Sequence, residues 1–563
     1  MSRGDRGRHG GRGSRGRHRA GRGGPRSGAA VLLAAAVIAA AGTGVAWSLR
    51  TTPNPPTVAA ATTGAAVSVS TSASTSPSPT STAPARNWVE QENALPGDKG
   101  WQITTGAGEL ELSGYADQVS VAPGEKLTLR VTSTLGAVDI AAYRLGWYAG
   151  AQGRRVWSRD DVPVEEQPPP TVSDDGMVET DWKPTLDIAT TDFPEGTYLI
   201  TLRAQGKAAW IPVTVRSMET AGRLVLVNAV ATYQAYNTWG GRSLYKGSDG
   251  GFGTRARRVS FDRPYDQKGA GTLLTQEQRS IAFAEQLGLD LAYTTSLDLH
   301  LGRPDLTTAA GVVTLGHDEY WTVEMRTHVE AARDAGVNLA FLGANAAYWR
   351  VRFDAGLLGP NRTLVGYKSP TEDPVQGTGT TNLFRQGPSP WPENSFVGML
   401  YECYPASGDL RVHDGTFFLF DGTDLKTDDV VPGLVGIEID RAYPIRGTPE
   451  NLQVVAHSPV ACAGLAPTHS DMTYYTTASG AGVFATGNML FTRSLFAPNT
   501  KRGQTEATVA FTRTVTENLL RAMAAGPMGT DHPAKGNLSE LPASPSTTTG
   551  TGFIVDPNWL AGA

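Results

Sequence analysis

Beyond residue 220 the sequence stops alternating between polar and apolar residues and runs almost continuously apolar. Leu224-Val225-Leu226-Val227-Asn228-Ala229-Val230 is the first such run, the pattern of a strand buried on both faces. Runs of the same kind recur at Leu291–Thr295, Ala310–Leu315 and Gly336–Leu342. Between them lie segments with helical spacing. In Gln276–Leu287, residues Ile281, Phe283, Ala284 and Leu287 lie close to one face, and a second helix is predicted from about Thr322 to Ala335. Thr416–Ala525 reads as strand-rich and then as a helix over Glu506–Ala525.

Buried strands alternating with helices predict a doubly wound α/β domain, of flavodoxin or glutamine-amidotransferase type, over residues 217–530. The preceding residues 87–216 have a different rhythm. Lys126–Val131 and Thr197–Arg203 alternate polar and apolar, and Pro123-Gly124 and Pro194-Glu195-Gly196 supply turns. This region is expected to form an all-β, immunoglobulin-like sandwich. Its aromatic segment Tyr143–Tyr148 reads as core packing before it reads as a sugar platform.

The 563 residues exceed what one core organises, and Gly 65 with Pro 36 adds turns and linker. Collagen is excluded by the lack of a Gly-X-Y period, and a coiled coil by the lack of sustained heptads. The net charge of −5 conceals an asymmetry: residues 1–26 hold nine Arg and one Asp. Arg- and Gly-rich tails bind nucleic acid in other settings, but here the tail precedes Ser27–Leu49, 23 uncharged and largely apolar residues. Arginines before a single apolar span follow the positive-inside rule, so residues 27–49 are a transmembrane anchor or a signal segment, and nucleic acid is not an expected partner. The head is then extracellular, held at the cell membrane or secreted. Residues 50–86, rich in Ser, Thr, Ala and Pro, form a solvated linker, and residues 531–563 a loose tail. The sequence leaves a homo-oligomer open.

In an open α/β sheet, sites form beyond the carboxyl ends of the strands. Three polar segments occupy such positions: Thr232–Gly241, Gly316-His317-Asp318-Glu319-Tyr320-Trp321 and Gly343-Ala344-Asn345-Ala346-Ala347-Tyr348-Trp349. His317 and Glu319, two apart on an extended segment, project to one side and suit metal binding or proton transfer. On residue types alone a competing reading is helix capping, with Asp318, Glu319 and Glu324 favouring the dipole of the helix that follows. Neighbouring Asn345 and tyrosines argue for a site, because capping needs none of them. There is no Gly-x-Ser-x-Gly, His-Glu-x-x-His, phosphate loop or Cys-x-x-Cys. His300, His328, His413, His457 and His469 are scattered and read as structural. Cys403 and Cys462 are the only cysteines and could pair in an exported protein.

Taken together, Ala235-Tyr236-Asn237 with Trp239-Gly240-Gly241, Gly316-His317-x-Glu319-Tyr320-Trp321 and Gly343-Ala344-Asn345 resemble the large (beta) subunit of N,N-dimethylformamidase over roughly residues 220–525. That resemblance implies hydrolysis of a linear amide C–N bond at a mononuclear ferric iron held by two tyrosines and a glutamate. By matching, Glu319 is the carboxylate ligand and Tyr236 the first phenolate, with Tyr233 as its rival. Tyr265 is the choice for the second phenolate over Tyr245, and His317 and Asn345 would orient water and the amide carbonyl. Asp318 stands where the amidase has proline. The expected substrate is a small amide or a cell-envelope amide. The alternative is a non-catalytic cell-surface protein that binds glycan or protein on the same scaffold.

Overall fold

The computed structural model describes residues 87–462, 467–541 and 555–562. The basic tail 1–26, the apolar span 27–49, the linker 50–86 and part of the expected C-terminal tail lie outside the described residues. Among the described residues no helix is long and apolar enough to cross a membrane.

The alternating segments near the N-terminus form two sheets around a common core. Leu112–Ala116, Lys126–Ser133 and Leu186–Ala189 make a three-stranded sheet. Ser120–Val121, Lys207–Val215, Gly196–Ala204, Val138–Leu145 and Gly153–Val162 make one of five strands. Alternation explains the packing: Leu127, Leu129 and Val131 point inward to meet Ile140, Ile200 and Leu202, while Lys126 stays in water. In the segment Tyr143–Tyr148 both tyrosines are buried. Arg144 is fully buried and its guanidinium meets the Glu285 carboxylate at 2.6 Å, joining the sandwich to the helix Gln278–Gln286 of the following region. Tyr148 and Tyr293 donate hydroxyls into the same cluster, the first to Glu92 at 2.6 Å and the second to Glu285 at 2.5 Å.

The remainder is built on one nine-stranded sheet. Its order is Leu291–Thr295, Leu224–Asn228, Gly311–Thr314, Asn338–Phe341, Gly482–Ala485, Thr468–Thr476, Gln453–Cys462, Leu400–Arg411 and Val430–Arg441. The first five strands are parallel and the last four run antiparallel. The helix Glu506–Ala525 packs Val515, Leu519 and Met523 into the core with Leu224, Leu226 and Val313.

This corrects the expected fold class. The chain is mostly β, 32% strand against 22% helix, with large mixed sheets, and is not a doubly wound flavodoxin-like or glutamine-amidotransferase-like fold. The reason lies after Phe341. A doubly wound chain would return through a helix to the next parallel strand. Here it passes through the hairpins of Arg352–Val365 and the long antiparallel strands before the fifth parallel strand at Gly482. The buried apolar runs identify the parallel strands but carry no information about what the intervening chain builds.

Candidate functional site

The polar segments that follow three of the parallel strands meet at one place. After Leu224–Asn228 the chain enters the short helix Val230–Tyr236 directly, which puts Tyr236 at its last turn. Thr232 of that helix accepts the backbone N–H groups of Glu319 and Tyr320 at 3.1 and 3.3 Å, fixing the second segment against the first. The second and third segments touch through their glycines: a Cβ on Gly343 would lie 1.7 Å from the Gly316 carbonyl oxygen, an approach only glycine permits. Asn345 adopts φ 61°, a left-handed conformation that asparagine tolerates, with its N–H donated to Asp440 at 2.8 Å.

At the centre is Glu319, 1% exposed. Tyr236 Oη donates to its Oε2 at 2.6 Å, and Tyr245 Oη donates to its Oε1 at 2.5 Å. The two phenol rings lie 4.9 Å apart, so both oxygens of one carboxylate are gripped from the same side. His317 Nε2 stands 3.3 Å from Glu319 Oε2, 3.2 Å from Tyr236 Oη and 3.9 Å from Glu438 Oε1. Its Nδ1 faces the Ala344 carbonyl at 3.3 Å; a carbonyl only accepts, so Nδ1 carries a proton. Asn345 Nδ2 donates to Glu438 Oε2 at 2.8 Å, and its Oδ1, buried, has no partner.

These contacts set the charges. Burial raises the Glu319 pKa, but the hydrogen bond and charge of His317 outweigh it and hold the carboxyl below its usual value. Burial opposes charge on His317, yet Glu438 and Glu319 lift it to about 9. Both phenols are pushed well above the usual value, by burial first and by the Glu319 charge next. Asp318 is lifted to about 8 by burial and then by Glu277. Lys368 is buried against the phenols, with Nζ 3.2 Å from the Tyr245 ring centroid and donating to Tyr320 Oη at 2.5 Å; burial lowers its pKa far below the lysine norm.

Of the residues expected from sequence, the structure therefore brings together Tyr236, His317, Glu319 and Asn345. It does not bring Tyr265. That ring packs 6.4 Å from Tyr233, and its charged neighbours are Arg362 and Arg263. Tyr233 donates to Glu277, away from Glu319. The second phenol at the centre is Tyr245, from the loop between Gly241 and Arg258. Nor do Asp318 and Glu319 cap the helix Val323–Asp334, whose N-cap is Thr322, accepting from the Met325 N–H at 3.1 Å. Lys368, Glu438 and Asp440 are missed by sequence reasoning. The last two did leave a signal: they sit two apart in the apolar strand Val430–Arg441, which puts both on one face.

Among the described residues no three His, Cys, Asp or Glu side chains form a group that holds a metal ion. The oxygen donors at Glu319 are one carboxylate and two phenols, a set of hard donors. The site is thus a buried carboxylate flanked by an imidazole and an amide at the carboxyl ends of parallel strands, groups suited to proton transfer and to binding a polar substrate. A family model described as N,N-dimethylformamidase beta subunit-like, C-terminal, matches residues 139–503, and the chain belongs to that family. The match begins inside the sandwich strand Val138–Leu145. No curated protein matches the chain.

Proposed function

We propose that this protein is an exported hydrolase of linear amide C–N bonds whose site holds one ferric ion between Tyr236, Tyr245 and Glu319. The observation that carries the reading is the pair of phenols donating to the two oxygens of one buried carboxylate, at 2.6 and 2.5 Å. Hydrogen bonds of that geometry gather three oxygens around one point, one carboxylate and two phenols that would give up their protons to a metal, and such a set fits a hard trivalent cation. The unpartnered Asn345 Oδ1 next to it supports a ligand at the same place.

When bound, such an ion supplies polarisation of the amide carbonyl and a lowered pKa for water. The chain's own residues do the rest. His317 exchanges a proton at Nε2, with Nδ1–H anchored on Ala344 and Glu438 supporting its charge. Asn345, fixed by Asp440 and Glu438, orients the amide. Lys368 and the aromatic rings of Tyr245, Tyr320 and Trp349 keep bulk water from the centre. The substrate is a small amide or one displayed by the cell envelope.

Export is supported by the Arg-flanked apolar span and by the Cys403–Cys462 disulfide, a bond that persists in oxidising compartments. The non-catalytic binding alternative gains nothing from a buried phenol–carboxylate centre. The test is metal analysis of the purified protein together with its visible spectrum. The proposal expects one iron per chain and a phenolate charge-transfer band lost in Tyr236→Phe and Tyr245→Phe but kept in Tyr265→Phe. Iron below about a tenth of an equivalent after reconstitution, with no band, ends the metal reading.

A further inference from the structure

Elsewhere in the protein, buried arginines end on acceptors. Arg362 Nε donates to Asp262 at 2.7 Å, and Arg385 Nε donates to Glu393 at 2.8 Å. Arg326 reaches Glu330 at 2.7 Å and the Pro392 carbonyl at 3.1 Å. Arg279, Arg493 and Arg502 differ. All three are half-buried, and among the described residues none of their side chains forms an ion pair or a hydrogen bond. Arg493 Nε is shut off from water and has no hydrogen-bond partner.

The three come from separate elements, each tied to the Glu319 centre. Arg279 lies in the helix Gln278–Gln286, where its neighbour Ser280 donates to the Leu315 carbonyl at 3.0 Å, just before His317 in the chain. Arg493 lies in the turn Thr492–Ser494, and Met489, earlier in the same loop, donates its N–H to the Glu438 carbonyl at 3.3 Å. Arg502 ends the turn Thr500–Arg502, and a Cβ on Gly436, in the strand that carries Glu438, would lie 3.3 Å from its Nη1. Burial and then the charges of Arg279 and Arg502 lower the Arg493 pKa, and Glu438 raises it, so Arg493 stands within electrostatic reach of all three. Among the carboxylates of the centre Glu438 is the one that reaches solvent, its side chain 13% exposed.

We propose that Arg279, Arg493 and Arg502 form an anion-binding subsite at the mouth of the Glu319 centre, taking a carboxylate carried by the substrate. Like charges gathered without a counter-ion destabilise the free protein, and an arriving carboxylate relieves that repulsion. Guanidinium forks pair with carboxylates through two parallel hydrogen bonds, which gives direction as well as attraction. Glu438 links the subsite to the chemistry: its Oε2 accepts from Asn345, and its Oε1 stands 3.9 Å from His317 Nε2. A substrate with its carboxylate on the arginines thus presents its amide to His317 and Asn345. The substrate class is then an acidic amide of the N-acyl amino acid type. That class rests on the amide-hydrolase reading; the anion subsite itself does not.

The test separates the two. Full-length Glu319→Gln protein, and the same protein with Arg279→Gln or Arg493→Gln added, are titrated by calorimetry with N-formylglycine and with its neutral counterpart N-formylglycinamide. The proposal expects the anionic probe to bind about 10–100-fold tighter, a preference that shrinks with added salt and falls towards unity in either arginine variant. Each substitution removes repulsion, so neither variant is expected to melt below the protein it derives from. The unaltered protein is also assayed for hydrolysis of both probes. If neither is hydrolysed while the anionic preference persists in the titrations, the amide reading falls and the subsite stands. Equal affinity for the two probes, or a preference that survives both substitutions, overturns the subsite. Loss of both probes with a lower melting temperature in both variants marks structural arginines and overturns it equally.

Discussion

In the parallel half of the nine-stranded sheet the strands are four or five residues long and buried throughout; in the antiparallel half they run from nine to twelve and mix buried with partly exposed positions. The two halves feed the same site differently. Short parallel strands end abruptly, and the residues just past their ends, Tyr236, His317, Glu319 and Asn345, meet in the crevice above the sheet. The long strands contribute from within their length: Glu438 and Asp440, near the end of Val430–Arg441, come from one strand face. The register between Leu400–Arg411 and this strand shifts between Tyr401 and Ala406, opposite Ile437–Asp440. The parallel half carries Tyr236, His317 and Glu319, and the antiparallel half supplies the carboxylates that hold Asn345.

The largest effect that would break this division is at Glu319. Glu319→Gln keeps the shape and removes the anion, so metal stoichiometry and amide turnover should fall by at least about a hundredfold while the melting curve stays close to the parent's. Full metal occupancy in that variant would move the ligand set out of the parallel half. Next is the clamp of the antiparallel half. Cys403 and Cys462, bonded across a sequence separation of 59, join the strands Leu400–Arg411 and Gln453–Cys462. Replacing both by Ser should lower unfolding free energy by about 4 kcal/mol in urea melts. A loss below about 1 kcal/mol would show that the strand ladder holds register without the bond.

A third expectation concerns Glu277, beneath the parallel half. It accepts from Asn228 Nδ2 at 2.7 Å and Ala229 N–H at 3.0 Å, and burial lifts its pKa from 4.5 to about 7. A raised carboxyl binds more protons in the folded state, so its contribution is complete below pH 4.5 and is lost as pH rises through about 7. Parent stability should therefore drop between pH 5 and 8 by on the order of 3 kcal/mol more than that of Glu277→Gln. Parallel pH trends in the two proteins would assign the buried proton elsewhere. The smallest effect sharpens the division from the other side. Glu438→Gln, which leaves Asn345 a partner, should retain metal and lower turnover about 10–100-fold; loss of metal would make Glu438 part of the ligand set.

Local pattern carried a good deal. The strand Leu291–Thr295 and the helix Glu506–Ala525 stand where apolar periodicity puts them, and the helix expected from Thr322 begins at Val323 with Thr322 as its cap. These are properties of neighbouring residues, and neighbours in sequence suffice to express them. Tyr245 against Tyr265 is the opposite case. Both lie on loops among aromatic and glycine residues, and nothing within either loop tells which phenol turns to Glu319. The same holds for Lys368, ordinary in its own segment.

By itself, then, the sequence determined the alternation of the sandwich strands, the buried parallel strands, the polar segments past their ends and the family to which the chain belongs. Tertiary structure alone decided that the sheet continues antiparallel, that Tyr245 joins Tyr236 on Glu319, and that Glu438 and Asp440 support Asn345. The physical reason is range. Periodicity records whether a residue faces core or water, a one-body property, whereas strand order and site membership depend on pairings between distant segments, such as Leu339 with Val483 and Asn345 with Glu438, which no local window encodes.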